Sequence, residues 1–306
     1  MYGERDLVTA ELLKTKAATG AATTQQANWA RELARTAVLA TIQDAASISA
    51  GAAIISRSLS LDLGALAQLS VPSRPLTSND AAKFLAEGQP IPVRNFNFAA
   101  GTLRPFGLKT ITTYSRELAQ SSSIEATVRQ TLAESFGLGL DAVMLSSSAA
   151  SGSQPAGLFQ SAPITPTTGG GVAAMLGDIE ALYGALAQNG AGANVAIVAP
   201  LPQAAVLRAQ LSPLFSWPIF ASSTMALKSI GAVDLTSFVS GFGTEVQFEV
   251  SGATALAMDT APADISGAPL VKSAYQLEML ALRATMFISW TMRVSGHAQL
   301  ISGVTW

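Results

Sequence analysis

The sequence contains no cysteine and a single histidine, His297. The first absence excludes disulfides and thiolate metal sites, and nothing implies an oxidising compartment. The second leaves acid–base and nucleophilic chemistry without its usual proton carrier, because a hydroxyl nucleophile needs a base beside it. His297 follows Ser295-Gly296, a setting that predicts a loop or surface residue, not a catalyst. Charge is scarce as well. Eighteen basic and twenty acidic residues give a net charge of −2 and make up 12% of the chain, about half the usual share. No basic field therefore exists to draw in nucleic acid as a specific ligand.

Long uninterrupted apolar runs are also missing, although 49% of the residues are hydrophobic. Asn189-Gly190, Pro200 and Pro202 break Ala181–Leu207, Pro213 and Pro218 break Ala209–Leu227, and Asp44 breaks Ala37–Ile55. None of these reads as a membrane span. The start, MYGERDLVTAELLK, carries acids where an export signal needs a basic flank and an apolar run. Low charge beside high apolar content then points to a chain that hides surface against copies of itself. Its 306 residues can hold one large domain or two ordinary ones and bury a sizeable core without staples.

The remaining chemistry is thin. One histidine, no cysteine and no HxxE or DxDxDG run leave only scattered carboxylates for a metal. Asp259 and Asp264 stand beside Pro262 and Gly267, which predicts a solvated loop. Thr167–Gly171 (TTGGG) precedes a helix but lacks a GK[ST] ending or a preceding GxGxxG strand, so it reads as a flexible linker. Phe96, Phe98 and Phe106 have only Arg94 and Arg104 among them, too few cations for a base-stacking platform. The residues argue against an enzyme, and no cofactor or metal is expected.

What is present is a long helix over Ser122–Ser147. Ile124, Val128, Leu132, Phe136 and Leu140 recur every four residues and are joined by Val143 and Met144, forming one apolar stripe. Ser122 and Glu125 stand at capping-box spacing. Such a helix would be roughly 35–40 Å long, with a bend or a close backbone contact expected at Gly137 and Gly139.

Around it the chain reads as α+β. Residues 1–55 form an arm, with Trp29, Leu33, Ala37 and Ala40 at helical spacing; it is either a loose tail with a short amphipathic helix or an arm across a neighbouring subunit. Residues 53–72 supply a strand and a short turn of helix. A hairpin over 80–109 follows: Val93, Phe96 and Phe98 run out, Ala99–Gly101 turn, and Leu103, Leu108, Ile111 and Thr113 return. A two-stranded hairpin is marginal alone in water, so it needs a surface to lie on. Thr165–Gly171 marks a domain boundary. Beyond it, Met175, Ile179, Leu182 and Leu186 define a helix ended by Asn189-Gly190, followed by a strand at Val195–Val198 and a helix at Gln203–Leu211. Phe215–Phe242 reads as loop-rich, and Val246–Val250 and Thr254–Met258 read as a hairpin around Ser251-Gly252. One long apolar strand then runs from Leu277 to Arg293, and Gln299–Ser302 is a last short strand.

FLAEGQPIPVRNFNF, the return strand ending in YSREL, the run SSSIEATVRQTLAESFGLGLDAVML, the connection SGSQPAGLF and the tail YQLEMLALRATMFISWTMRVSGHAQLISG together resemble the major capsid protein of tailed bacteriophages, the Hong Kong ninety-seven type fold. The resemblance covers roughly residues 50–306. It implies an N-terminal arm (1–55), a peripheral domain (56–164 and 263–293) with an extended loop at 80–109 and a spine helix at 122–147, and an axial domain (165–262 and 294–306). It implies an extended-loop assembly interface at Glu87, Arg94, Phe96, Phe98, Arg104 and Phe106, and a spine built on Ile124, Val128, Leu132, Phe136 and Leu140. The implied function is a shell subunit, forming hexamers and pentamers around double-stranded DNA without sequence-specific binding or membrane contact. Its partners would be itself, a portal protein, and scaffolding or decoration proteins. It would reside in the virion, and in the host cytoplasm during assembly. The alternative is an encapsulin-like cellular compartment enclosing an enzyme, and the third reading is a soluble α+β binding or catalytic protein. Some relatives are cross-linked from an extended-loop lysine to a neighbour's asparagine. Here lysine stands only at the loop's base, Lys83 and Lys109, and no asparagine follows Val250, so non-covalent assembly is expected. Many relatives also begin with a long scaffolding segment. None stands here, which implies a separate scaffold, a short retained arm or a removed segment.

Overall fold

The computed structural model describes residues 49–64, 66–73, 84–87, 89–91, 99–117, 124–161, 163–211, 217–243, 246–257 and 271–306. Its longest strand, β12 (Met279–Met292), organises the first sheet. β12 runs antiparallel to β4 (Phe106–Ser115), from Met279 opposite Ser115 to Ile288 opposite Phe106. Along its other edge lie two strands in succession. β9 (Gln247–Ser251) covers Ala281–Thr285, and β8 (Phe238–Phe242) covers Ile288–Met292. β1 (Leu59–Asp62) adds parallel to β8. Because side chains alternate across a strand, Leu282, Ala284, Met286, Ile288 and Trp290 share one face, and all five enter one core cluster.

The helix that closes this core is α2 (Ile124–Met144), 21 residues and so about 31 Å long. Its four-residue stripe behaves as the periodicity predicts. Leu132, Phe136, Leu140 and Met144 are buried, and Val128 and Val143 pack against them partly exposed. Full burial of such side chains contributes about 1.5–3 kcal/mol each, which is enough to hold the helix to the sheet. A Cβ on Gly139 would sit 3.4 Å from Leu108 of β4, so the contact expected near the two glycines is with the sheet. The carbonyls at the helix end are taken up by the QPAGLF connection. The Leu158 N–H donates to the Met144 carbonyl at 2.8 Å, and the Phe159 N–H to that of Ser146 at 3.2 Å. At Gly157 an added Cβ would lie 2.1 Å from the Ser146 carbonyl oxygen; only glycine fits there.

The second sheet has the order β13-β7-β5-β6: Ala298–Ser302, Ser229–Asp234, Val195–Pro200 and Ile219–Ser222. β5, VAIVAP, is buried along its whole length, as an unalternating apolar run requires. α3 (Gly171–Gln188) packs Met175, Ile179, Leu182 and Leu186 into a second core with α4 (Leu201–Leu211). Phe159 joins the two regions. It belongs to the first core, yet its ring fills the space beside Gly231 of β7, where an added Cβ would meet it at 2.4 Å.

Two smaller ribbons complete the described structure: β2 (Leu69–Ser73) with β3 (Ala99–Leu103), and β10 (Ala255–Ala257) with β11 (Val271–Ser273).

Several sequence expectations need correction. Ala99–Gly101 is not a turn but strand, paired with Ser73, Pro72 and Val71; the outgoing arm is therefore β2, and the reversal lies between 74 and 98. Residues 50–55 of the expected arm form a buried helix, α1 (Ala50–Ser56), ahead of β1, while residues 1–48 lie outside those described. Phe215–Phe242 holds three strands, two of them wholly buried. β9 does not pair with β10. It lies on β12, and β10 turns to β11. β8 and β9, inside the 165–262 segment assigned to the second region, thus belong to the first sheet. For β8 and β9 a long-range partner outweighs the nearest one in sequence, because β12 offers an apolar edge that a short local hairpin does not. Ser122, with the capping box, and the Asp259 and Asp264 pair lie outside the described residues.

Candidate functional site

The β2–β3 ribbon has a packed base. Val71 and Leu103 are buried with Leu63 and Val239, and Leu61 and Leu69 pack around them. Arg293 Nη2 donates to the Pro72 carbonyl at 3.4 Å, and Gly101 lies against Thr291 of β12. Between its two strands, the described residues 84–87 and 89–91 are all exposed. Phe84 is 108% and Ile91 83% exposed, and Leu85 is exposed beside them. Apolar side chains of this size on water would gain by burial.

Of the residues expected at this loop, Glu87 is exposed within that segment. Arg94, Phe96 and Phe98 lie outside the described residues. Arg104 is exposed at the corner into β4, with its guanidinium carbon 5.9 Å from the ring centre of half-buried Phe106. The spine residues fall elsewhere: Leu132, Phe136 and Leu140 are core, and Val128 is partly buried against that core. Ile124 opens the helix, and its side chain lies outside the described residues. These side chains hold the spine to its own sheet. A further exposed apolar group lies around the far end of β12: Phe248 and Val250 on β9, Val271 on β11, and Tyr275 and Leu277 in the turn before β12.

The buried ionisable side chains are His297, expected from the sequence at the surface, and Asp141, Asp178 and Asp234. His297 is not a surface residue. It is buried, with Nδ1 3.0 Å from Asp234 Oδ2 and Nε2 2.9 Å from the Asn189 carbonyl oxygen. Both ring nitrogens face oxygen acceptors, which fixes the ring between Asp234 and the loop at Asn189. Asp234 Oδ1 also accepts from the Thr236 N–H and hydroxyl. The 165–171 linker is likewise tied down. Buried Asp178 accepts from the Thr167 N–H at 2.6 Å and the Trp306 indole N–H at 2.7 Å, while the Thr305 hydroxyl donates to the Gly169 carbonyl. Tyr183 stacks on Trp217 with centroids 3.8 Å apart, and burial pushes its phenol pKa up. The one signal in the sequence was that Asp141, Asp178 and Asp234 each interrupt an apolar run.

Among the described residues no three His, Asp or Glu side chains converge on a metal position, and no helix is long and apolar enough to cross a membrane. The exposed Arg283–Glu249 pair at 2.6 Å is of the kind that contributes little.

No protein-family model matches the chain. It is 28% identical over 343 residues to a capsid polyprotein of Pseudomonas phage PAJU2, an alignment that takes in all of this chain and 50% of that protein. The chain thus spans about half the length of this curated relative. Among solved structures, one from Microbacterium phage Oxtober96 matches with a TM-score of 0.60 at 15% identity, over 83% of this chain and 90% of that one. The satellite phage P4 procapsid, solved with its size determination protein, matches with a TM-score of 0.56 at 10% identity, over 100% of this chain and 98% of that one. These likenesses span most or all of the chain, and it therefore has the Hong Kong ninety-seven type fold of phage major capsid proteins.

Proposed function

We propose that this chain is the major capsid subunit of a tailed phage, a structural protein rather than a catalyst. Copies of it assemble into the hexamers and pentamers of an icosahedral shell around double-stranded DNA. The observation that carries the reading is the β2–β3 ribbon, with its base locked in a small apolar cluster and its described tip residues, Phe84 and Ile91 foremost, bare to solvent. A monomer gains nothing from such a ribbon. A subunit that lays it on a neighbour buries the apolar surface that a 12% charge fraction leaves available. The curated relative is a capsid polyprotein of a phage, which supports the same role. In this reading the first sheet with α2 forms the peripheral wall, and the second sheet with α3 and α4 faces the capsomer centre. A net charge of −2 suits a container that must not grip its contents, since strong basic contacts would oppose packaging and release. Portal, scaffolding and decoration proteins would complete the particle, with assembly in the host cytoplasm.

The test is electron microscopy of the purified protein, with light scattering and nucleic-acid quantification of particles from infected cells. Closed shells holding DNA are expected. A chain that stays monomeric at high concentration overturns the proposal, and shells filled with a protein cargo would make it a cellular compartment.

A further inference from the structure

Three separate segments meet on one buried carboxylate. Asp141 lies in the last turn of α2 and is 2% exposed. Its Oδ1 accepts from the Ser49 hydroxyl at 2.5 Å and from the Gly51 N–H at 2.8 Å. Its Oδ2 accepts from the Ala50 N–H at 3.1 Å and from the Ser222 hydroxyl at 2.7 Å. A carboxylate offers about four acceptor positions, and all four are used. Ser49 also accepts from the Ala52 N–H at 3.0 Å as the N-cap of α1. A Cβ on Gly51 would lie 2.9 Å from Asp141 Oδ1, so the backbone of α1 comes as close to the carboxylate as glycine allows.

An acid in the last turn of a helix is unfavourable to that helix, whose exposed carbonyls already concentrate negative charge there. Leu140, Val143 and Met144 around it obey the apolar pattern, and Asp141 alone breaks it. A local rule broken at a buried, fully satisfied position marks a tertiary role. The groups it holds belong to different parts of the fold. Ser49 to Gly51 lead from the first 48 residues into the body, α2 is the spine of the first sheet, and Ser222 ends β6 at the edge of the second sheet.

We infer that Asp141 is a latch that sets the position of the second sheet against the spine helix and fixes where the N-terminal segment joins the body. Asn in its place retains the shape but offers one oxygen and one NH2. The hydroxyls of Ser49 and Ser222 can turn to accept from that NH2. The N–H groups of Ala50 and Gly51 cannot, so one of them faces a donor whichever way the amide points. Ser222→Ala instead cuts the tie to the second sheet, together with the local contacts of Ser222 to the Thr224 N–H and hydroxyl, and leaves α1 capped. In its assembly arm the inference rests on the shell reading, because curvature depends on how the two sheets are set.

Full-length protein carrying Asp141→Asn or Ser222→Ala is compared with the parent by amide hydrogen exchange and by electron microscopy of assembled shells. Asp141→Asn should speed exchange over Ala50–Ser56 at least tenfold. Ser222→Ala should leave that exchange unchanged and widen the spread of shell diameters at least twofold. Unchanged exchange in Asp141→Asn, or shells of parental diameter and spread in Ser222→Ala, overturns the latch. Parent protein that forms no shells overturns the shell reading instead, and the exchange comparison still decides the latch.

Discussion

Replacing Phe84 and Ile91 together by serine tests whether the ribbon tip drives assembly. Both side chains are bare in the subunit, at 108% and 83% exposure, so the folded monomer loses no contact when they are truncated. Surface changes of this kind shift stability by less than about 0.5 kcal/mol, and the melting temperature should stay within about 2 °C of the parent. On the proposed shell reading the two side chains would pass from exposure to burial on a neighbour. Full burial contributes about 1.5–3 kcal/mol per side chain, so the pair contributes about 3–6 kcal/mol per subunit contact. At about 1.4 kcal/mol per tenfold, the concentration at which shells appear should rise by roughly two to four orders of magnitude. Right-angle light scattering against protein concentration, with microscopy of the end points, reads this directly. A double variant that assembles at the parental concentration refutes the argument, and one that melts far below the parent shows that the tip packs within its own subunit.

Three further outcomes follow from the geometry. Gly231→Ala pushes a methyl group into the Phe159 ring, which should cost about 1–3 kcal/mol by overpacking; Phe159→Leu in the same chain should restore part of the loss, and urea denaturation of both variants checks the coupling. His297→Ala leaves the buried Asp234 carboxylate with only the Thr236 donors and a long contact from the Gly192 N–H, a loss of roughly 3–5 kcal/mol; a loss below about 1 kcal/mol in the same assay refutes this. Shells boiled in SDS should run as single chains, since no asparagine follows Val250, and a ladder of covalent multimers would contradict this.

Much of the fold was legible locally. The stripe Leu132, Phe136, Leu140 and Met144 lies on one helix face because a period near four leaves no other solution, and the structure buries all four. β12 was readable as a strand because fourteen residues without proline or glycine, rich in branched and aromatic side chains, fit a pleated surface. The pairing errors share one cause. Val246–Val250 and Thr254–Met258 make a plausible hairpin by proximity, and Ala99–Gly101 a plausible turn by composition, but register depends on which distant strand offers a better edge. The ribbon tip was legible only as a loop in need of a surface. Its bare phenylalanine and isoleucine emerge once the base is seen packed against Leu63 and Val239.

The sequence by itself determined the elements that depend on neighbours a few residues away, namely the spine, the buried strand of the second sheet, the helix ended by Asn189-Gly190 and the long strand β12. Through the scarcity of charge and the lone histidine it also pointed to surface contact between copies as the expectation for this chain. Only the tertiary structure decided what the buried charges do. Asp141, Asp178, Asp234 and His297 look like isolated interruptions of apolar runs, and apart from Thr236 beside Asp234 the partners named for their side chains lie 11 to 128 positions away in the chain. A charge survives burial only when such partners surround it, and that condition has no signature in any local stretch of sequence.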